Sequence, residues 1–384
     1  MFLKDLFGID RKSDIRISIV GGSNSVMRRG YSKYLKRDLG NAISQSTSIE
    51  YYSLGGVPNI YSVIQHERHD IAATSDIIFF EYSANDRYAM DDNHYDLDLA
   101  AKSLEGFIRK AQKSNPRCLI VLILFGTNLP EFYASVCSFI KLYQSIGKEY
   151  NLPVIDLTEV LSREKGLDYV QSLYDGKDHA HYTRPEGVKA VSQAIVDELD
   201  RLGIIKQLKK KKKTFQIPAR PPIDSDNFED LKYFDNFESG NYFKEEPKIS
   251  IYQNTVFREQ TFTIERGNSL DFLLKGRLMI ISIKSDLNDG FIKIEFGNQT
   301  IVTSTHNSWV NLIKPQNVIN LMALPMRKFE PSTDFAPVSI SVCSEYPEEF
   351  ELGYNKIVPV REDPDKWKLS IIGIAYIGEI KPID

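Results

Sequence analysis

Two groups of residues in this chain have types and spacing suited to proton transfer. Asp178-His179-Ala180-His181 places a carboxylate and an imidazole three residues apart on a turn, where they can share a proton. Far upstream, Ile17-Ser18-Ile19-Val20-Gly21-Gly22-Ser23-Asn24-Ser25 reads as an apolar β-run ending in two glycines and a serine before a helix. A strand-to-helix turn of this kind presents a hydroxyl at the carboxyl edge of a sheet, where open α/β proteins keep their sites. A serine hydroxyl is a poor nucleophile at neutral pH, so it needs a base within hydrogen-bond reach and a third group that holds the base in one tautomer. Ser23, His181 and Asp178 are candidates for those three roles. His179 is the rival base, but it stands only one residue after Asp178.

The oxyanion of an acyl-transfer intermediate also needs preorganised N–H donors. Ser53-Leu54-Gly55-Gly56-Val57-Pro58-Asn59 follows a second apolar run, and Glu81-Tyr82-Ser83-Ala84-Asn85-Asp86 follows a third. A glycine N–H and the Asn85 amide are suitable donors. Each segment alone has a plainer reading as a tight turn, a loop before a helix or a cap. Their order, and their common place after successive strands, is what joins them.

Taken in order, Ser, Gly, Asn and Asp-x-x-His resemble the four blocks of the SGNH (GDSL-like) hydrolase superfamily of serine esterases and acyltransferases, over about residues 14–204. The resemblance implies Ser23 as nucleophile, His181 as base, Asp178 as its orienter, and Gly55 or Gly56 together with Asn85 as the oxyanion hole. The middle residue of the family's Gly-Asp-Ser is here Gly22, which bears on the geometry of the turn more than on the triad. The resemblance also implies a flavodoxin-like strand order.

The elements that must hold these residues follow from periodicity. Short apolar runs at 15–20, 48–54, 76–82, 118–125 and 152–157 alternate with helical patterns at about 27–40, 58–70, 95–114, 130–150 and 184–202. The alternation predicts a doubly wound, three-layer α/β/α domain over 1–205 with a parallel sheet. Residues 206–222 change character, with five consecutive lysines, Lys209 to Lys213, and then a proline-rich stretch, and read as a linker. From 223 to 384 no helical period persists. Short β-like runs near 249–257, 260–265, 269–274, 278–284, 290–296, 299–303, 309–313, 338–343 and 367–377 predict a sandwich or jelly roll. Tyr242, Trp309 and Trp367 could form an aromatic platform for a saccharide there, or belong to its core, the commoner place for such residues.

A chain of 384 residues, 42% hydrophobic, can bury more than one core. A net charge of −4 argues against nucleic acid as the main partner, and the lysine run is the one segment suited to peripheral contact with an anionic membrane. Cys118, Cys137 and Cys343 form neither a disulfide framework nor a metal-ligand set. Lys4 and Asp5 interrupt the apolar amino terminus, so a cytoplasmic location is expected.

These readings converge on acyl-ester chemistry on a carbohydrate, with no bound cofactor or metal. Because an exported esterase would normally have a leader, and because the layout looks like proteins that acetylate bacterial capsular or surface polysaccharides, O-acetyltransfer from acetyl-CoA is the expectation. Carbohydrate acetylester hydrolysis is the first alternative. An inactive saccharide-binding protein is the second.

Overall fold

The computed structural model describes residues 15–90, 95–134, 136–176, 178–209, 215–253, 258–311, 318–353 and 356–383. The amino-terminal residues and most of the lysine run therefore lie outside the described residues. The chain runs β1 (Ile15–Gly21), α1 (Ser23–Val26), α2 (Tyr31–Ile43), β2 (Thr47–Tyr51), α3 (Ile60–His69), α4 (Ile71–Thr74), β3 (Ile77–Glu81), α5 (Ser83–Ala89) and α6 (Leu97–Ser114). It continues through β4 (Leu119–Leu124), α7 (Pro130–Tyr133), α8 (Ser138–Glu149), β5 (Val154–Asp156), α9 (Leu157–Lys165), α10 (Leu167–Ser172), β6 (Tyr174–Asp175), β7 (Asp178–Tyr182), α11 (Glu186–Arg201) and α12 (Ile204–Lys209).

Two compact units emerge: residues 1–55, 70–84 and 111–221 form one, and residues 56–69, 85–110 and 222–384 the other. The first is built on a five-stranded, all-parallel sheet in the order β2-β1-β3-β4-β5. Ile15, Ile17, Ile19, Ile77, Phe79, Val121 and Ile123 pack with Leu35 and Leu39 of α2 and Val191 and Ile195 of α11. The opposite side chains, among them Val20, Ile78, Phe80, Leu122 and Leu124, are also fully buried. Coverage of both faces is why these strands read as unbroken apolar runs rather than as alternating ones.

Ile217 is buried, and its N–H donates to the Pro116 carbonyl at 3.0 Å. In the second unit Ile223 N–H and Asp224 N–H both donate to the Glu105 carboxylate on α6. A side chain on Gly106 would strike the Phe228 backbone at 2.7 Å, so the closeness of α6 to residues 228–229 requires a glycine there.

The second unit contains an antiparallel sheet of nine strands. Its main path is β13-β12-β15-β11-β16-β10-β9, with β14 joined to β11 and β8 to β16. Here β8 is Lys232–Phe234, β9 Lys248–Gln253, β10 Arg258–Glu265, β11 Ser269–Ser285, β12 Phe291–Phe296, β13 Gln299–Ser304, β14 Val318–Met322, β15 Ser332–Val342 and β16 Lys368–Lys381. β11 pairs with β15 through its first half and with β14 through its second, so one long strand curls the sheet around its own core. The runs expected at 269–274 and 278–284 are this one strand. Gly276 faces Gly378 across the ladder with φ of 125° and 117°, which lets both strands bend without ending.

The run expected as a strand at 309–313 instead begins as a 3₁₀ turn, Ser308–Asn311, because the Asn307 side chain captures Trp309 N–H at 2.9 Å. β14, which had no counterpart among the expected runs, follows it. Of the three aromatic residues weighed as a platform, Trp367 and Tyr242 are buried in the core, and Trp309 is 45% exposed.

Candidate active site

β1 carries the chain to the carboxyl edge of the sheet, where Gly21-Gly22 makes the turn and Ser23 opens the single turn of α1. Ser25 is on the same turn but buried, with its hydroxyl directed at Glu81 Oε2, 2.9 Å away. Ser23 Oγ lies 2.8 Å from His181 Nε2, and His181 Nδ1 lies 2.7 Å from Asp178 Oδ2. An ionised carboxylate only accepts, so Nδ1 carries the hydrogen and Nε2 is left to accept from the serine hydroxyl.

Asp178 to His181, expected on a turn, instead lie on β7, and this strand, which brings His181 to Ser23, is held from several sides. Asp178 Oδ1 accepts Ala180 N–H at 3.0 Å and His181 N–H at 3.2 Å. Asn24, next to the serine, donates from Nδ2 to the Ala180 carbonyl at 3.1 Å. Tyr182 is buried, stacked on Tyr174 with ring centres 4.5 Å apart and edge-on to Phe125 at 5.7 Å. Partial burial works against the Asp178 charge, but the His181 ring and the two backbone N–H groups outweigh it and hold the carboxyl below its ordinary range. His179 is exposed, and its carbonyl accepts Asn128 N–H at 2.7 Å.

The two adjacent glycines have different physical reasons. A Cβ on Gly55 would stand 3.1 Å from Ser23 Cβ and 3.3 Å from Ser23 Cα, so Gly55 lies directly against the serine. Gly56 has φ of 75°, with open space where a side chain would go, so its requirement is conformational. Ser23, Asp178, His181 and Gly55 thus come together in the first unit. Gly56 and Asn85 belong to the second. There Asn85 donates from Nδ2 to the Val57 carbonyl at 2.9 Å, using one of the amide's two N–H groups. Asp86 is buried and accepts Asn59 N–H at 2.7 Å, and Asn59 Nδ2 donates to the Ala100 carbonyl at 2.9 Å. The loop after Gly56 is thereby tied down.

Sequence reasoning missed Glu81. It is fully buried at the end of β3, and Oε2 accepts Gly22 N–H at 3.1 Å. A carboxylate therefore reaches the turn although position 22 is glycine. The available signal was the single acidic residue closing the otherwise apolar Ile77–Phe80 run.

A base-linked serine with a glycine pressed against it is suited to attack on an ester carbonyl. No protein-family model and no curated protein sequence matches this chain. Among solved structures it is similar to a two-domain esterase active on acetylated mannans, co-crystallised with mannopentaose: 15% identity, 97% of this chain, 92% of that chain and a TM-score of 0.62. A second structure of a two-domain esterase active on acetylated mannans gives 16% identity, 96% and 92% coverage, and a TM-score of 0.58. The chain shares the fold of these two-domain esterases, a parallel α/β sheet followed by a curled antiparallel β domain.

Proposed function

We propose that this chain is a serine carbohydrate acetylesterase. The observation that carries the proposal is the Ser23–His181–Asp178 relay, with both links at hydrogen-bond distance. His181 Nε2 takes the Ser23 proton as Oγ attacks the acetyl carbonyl, and the oxyanion is met by the backbone N–H of Gly55, which lies against the serine. Collapse of the tetrahedral species returns the proton to the departing sugar oxygen. Water then attacks the acetyl-serine with His181 again as base, releasing acetate and restoring the hydroxyl. Each oxyanion donor is worth about 3–4 kcal/mol in the transition state.

Hydrolysis is favoured over transfer by the likeness, along nearly the whole chain, to an esterase active on acetylated mannans. The preference for transfer from acetyl-CoA rested on the amino terminus, outside the described residues, and on an analogy of layout. That preference gives way to the first alternative. A saccharide substrate is supported within the second unit by a cavity lined by Asn307, Asn320, Thr303 and Lys356 and by Gly56, Val57 and Pro58, the residues that follow Gly55. Asn320 is buried, and its Nδ2 meets no acceptor among the described residues. Trp309, joined to Asn307 by its N–H, exposes an aromatic face of the kind that stacks on sugar rings.

The test is mass spectrometry of acetylated manno-oligosaccharides with the purified protein. Loss of acetyl groups and release of acetate are expected, abolished in Ser23→Ala. Asn320→Ala should raise KM for the oligosaccharide severalfold and leave p-nitrophenyl acetate turnover unchanged. Acetyl gain by a deacetylated sugar at the expense of acetyl-CoA, without acetate release from the acetylated one, would overturn hydrolysis.

A further inference from the structure

Glu81 takes no part in the relay, yet its contacts converge on the turn that presents the nucleophile. Its Oε2 accepts Gly22 N–H at 3.1 Å and the Ser25 hydroxyl at 2.9 Å, and its main-chain carbonyl accepts the same Gly22 N–H at 3.0 Å. A side chain on Gly21 would lie 2.8 Å from Glu81 Oε2 and 2.6 Å from Ser25 Oγ, so the carboxylate and hydroxyl occupy the space that Gly21 leaves open. The Tyr31 hydroxyl stands 3.1 Å from Ser25 Oγ. Burial, with the Glu81 charge adding to it, raises the Tyr31 phenol far above its ordinary range, so it stays protonated and donates inward. Tyr31 O–H to Ser25, Ser25 O–H to Glu81, and Gly22 N–H to Glu81 form one directed chain. The network accounts for two residue types on either side of the nucleophile: the space left by glycine at 21 and the hydroxyl donor at 25.

Burying a carboxylate costs several kcal/mol in desolvation, and an apolar residue of similar volume commonly leaves a protein as stable or more so. Fold stability alone gives little reason for an acid at this position. The geometry points to Glu81 as a positioning residue that, through Gly22 and Ser25, sets Ser23 Oγ at attacking distance from its base. This role rests on the ester chemistry proposed above.

The experiment compares Glu81→Leu, Glu81→Gln and Ser25→Ala with the wild type in the full chain, with circular dichroism and melting curves to establish folding. It measures kcat and KM for p-nitrophenyl acetate and the rate of fluorophosphonate labelling. A misplacement of the nucleophile by about an ångström costs on the order of a hundredfold, so Glu81→Leu should lose roughly 30- to 100-fold in kcat and labelling rate with KM nearly unchanged. Glu81→Gln keeps an oxygen acceptor for Gly22 N–H and should recover to within about fivefold of wild type, and Ser25→Ala should lose about three- to tenfold in kcat.

A folded Glu81→Leu with wild-type kcat overturns the proposal, as does Glu81→Gln falling as far as Glu81→Leu. If Glu81→Leu does not fold, Ser25→Ala decides: wild-type kcat there overturns it. A wild type that hydrolyses p-nitrophenyl acetate but leaves acetylated oligosaccharides intact would defeat the acetylesterase reading alone.

Discussion

Gly55 lies against Ser23: a methyl group on Gly55 would stand 3.1 Å from Ser23 Cβ and 3.3 Å from Ser23 Cα, closer than most packed Cβ atoms come to any neighbour. Its neighbour Gly56 has no such contact and is held to glycine by its positive φ. The two substitutions should therefore fail differently. Gly55→Ala is expected to lower kcat for p-nitrophenyl acetate about tenfold or more, with little change in melting temperature. Gly56→Ala is expected to cost about 1 kcal/mol of stability through strain, with a smaller effect on kcat. Parallel kinetics and thermal melts of the two variants check this, and equal kinetic losses would refute the division.

Asp178 should remain charged well into the acid range. Its pKa is lowered on folding, so its contribution to stability is present above the unfolded carboxylate value and lost only as pH falls through the lower folded value. With Asp178 charged, His181 Nδ1 keeps its hydrogen and Nε2 stays free to accept the Ser23 proton. Asp178→Asn should lower kcat by roughly three to four orders of magnitude, because an amide can stabilise the wrong imidazole tautomer, while the fold survives. His179→Ala should stay within about threefold of wild type, since that side chain is exposed. Comparable damage from His179→Ala and His181→Ala would put the base at the wrong histidine.

Within the second unit, α3 is clamped to β10 by Arg68, whose guanidinium donates to Glu259 Oε1 and Oε2 at 2.9 and 2.8 Å. Arg68 also meets Asp235 at 3.2 Å and the Tyr233 ring at 5.2 Å, and Glu259 is 6% exposed. Removing one member of a buried bidentate pair strands the other charge. Glu259→Ala should cost about 2–4 kcal/mol, with Asp235 offsetting part of the loss. Chemical denaturation would measure it. The same contacts bear on truncation: a fragment ending near residue 205 loses Glu259, the partner of Arg68, and Ile223 and Asp224, the partners of Glu105, and should melt well below the full chain.

Asp289 gives a pH dependence of the opposite sign. Burial raises its carboxyl to about 8, against a hydrogen bond from Ser285 that works the other way. A folded pKa above the unfolded one means the stabilisation is complete below the unfolded carboxylate value, near 4, and declines as pH rises toward about 8. Asp289→Asn removes this term. Its melting temperature relative to wild type should rise by several degrees between pH 5 and pH 8.5, and a constant difference across that range would show that the carboxyl does not titrate there.

The sequence by itself determined the elements and the chemistry they present. Runs such as Ile77–Phe80, apolar on both faces, specify strands covered on both sides, and the order Ser23, Gly55-Gly56, Asn85 follows the carboxyl ends of β1, β2 and β3, whereas Asp178 and His181 stand on β7 of the separate β6-β7 pair. Such features are legible because they depend on local periodicity and short spacings. Tertiary structure decided what depends on partners distant in sequence. Glu81 meets Gly22 only because β3 lies beside β1 with Glu81 opposite Gly21, a register that no local pattern encodes. Trp309 and Trp367 are alike as sequence, but one is exposed on a 3₁₀ turn and the other packed on Phe291, because burial is set by where the sheet curls. Gly276, which breaks the strand pattern in the sequence, instead bends a continuous strand because Gly378 stands opposite it.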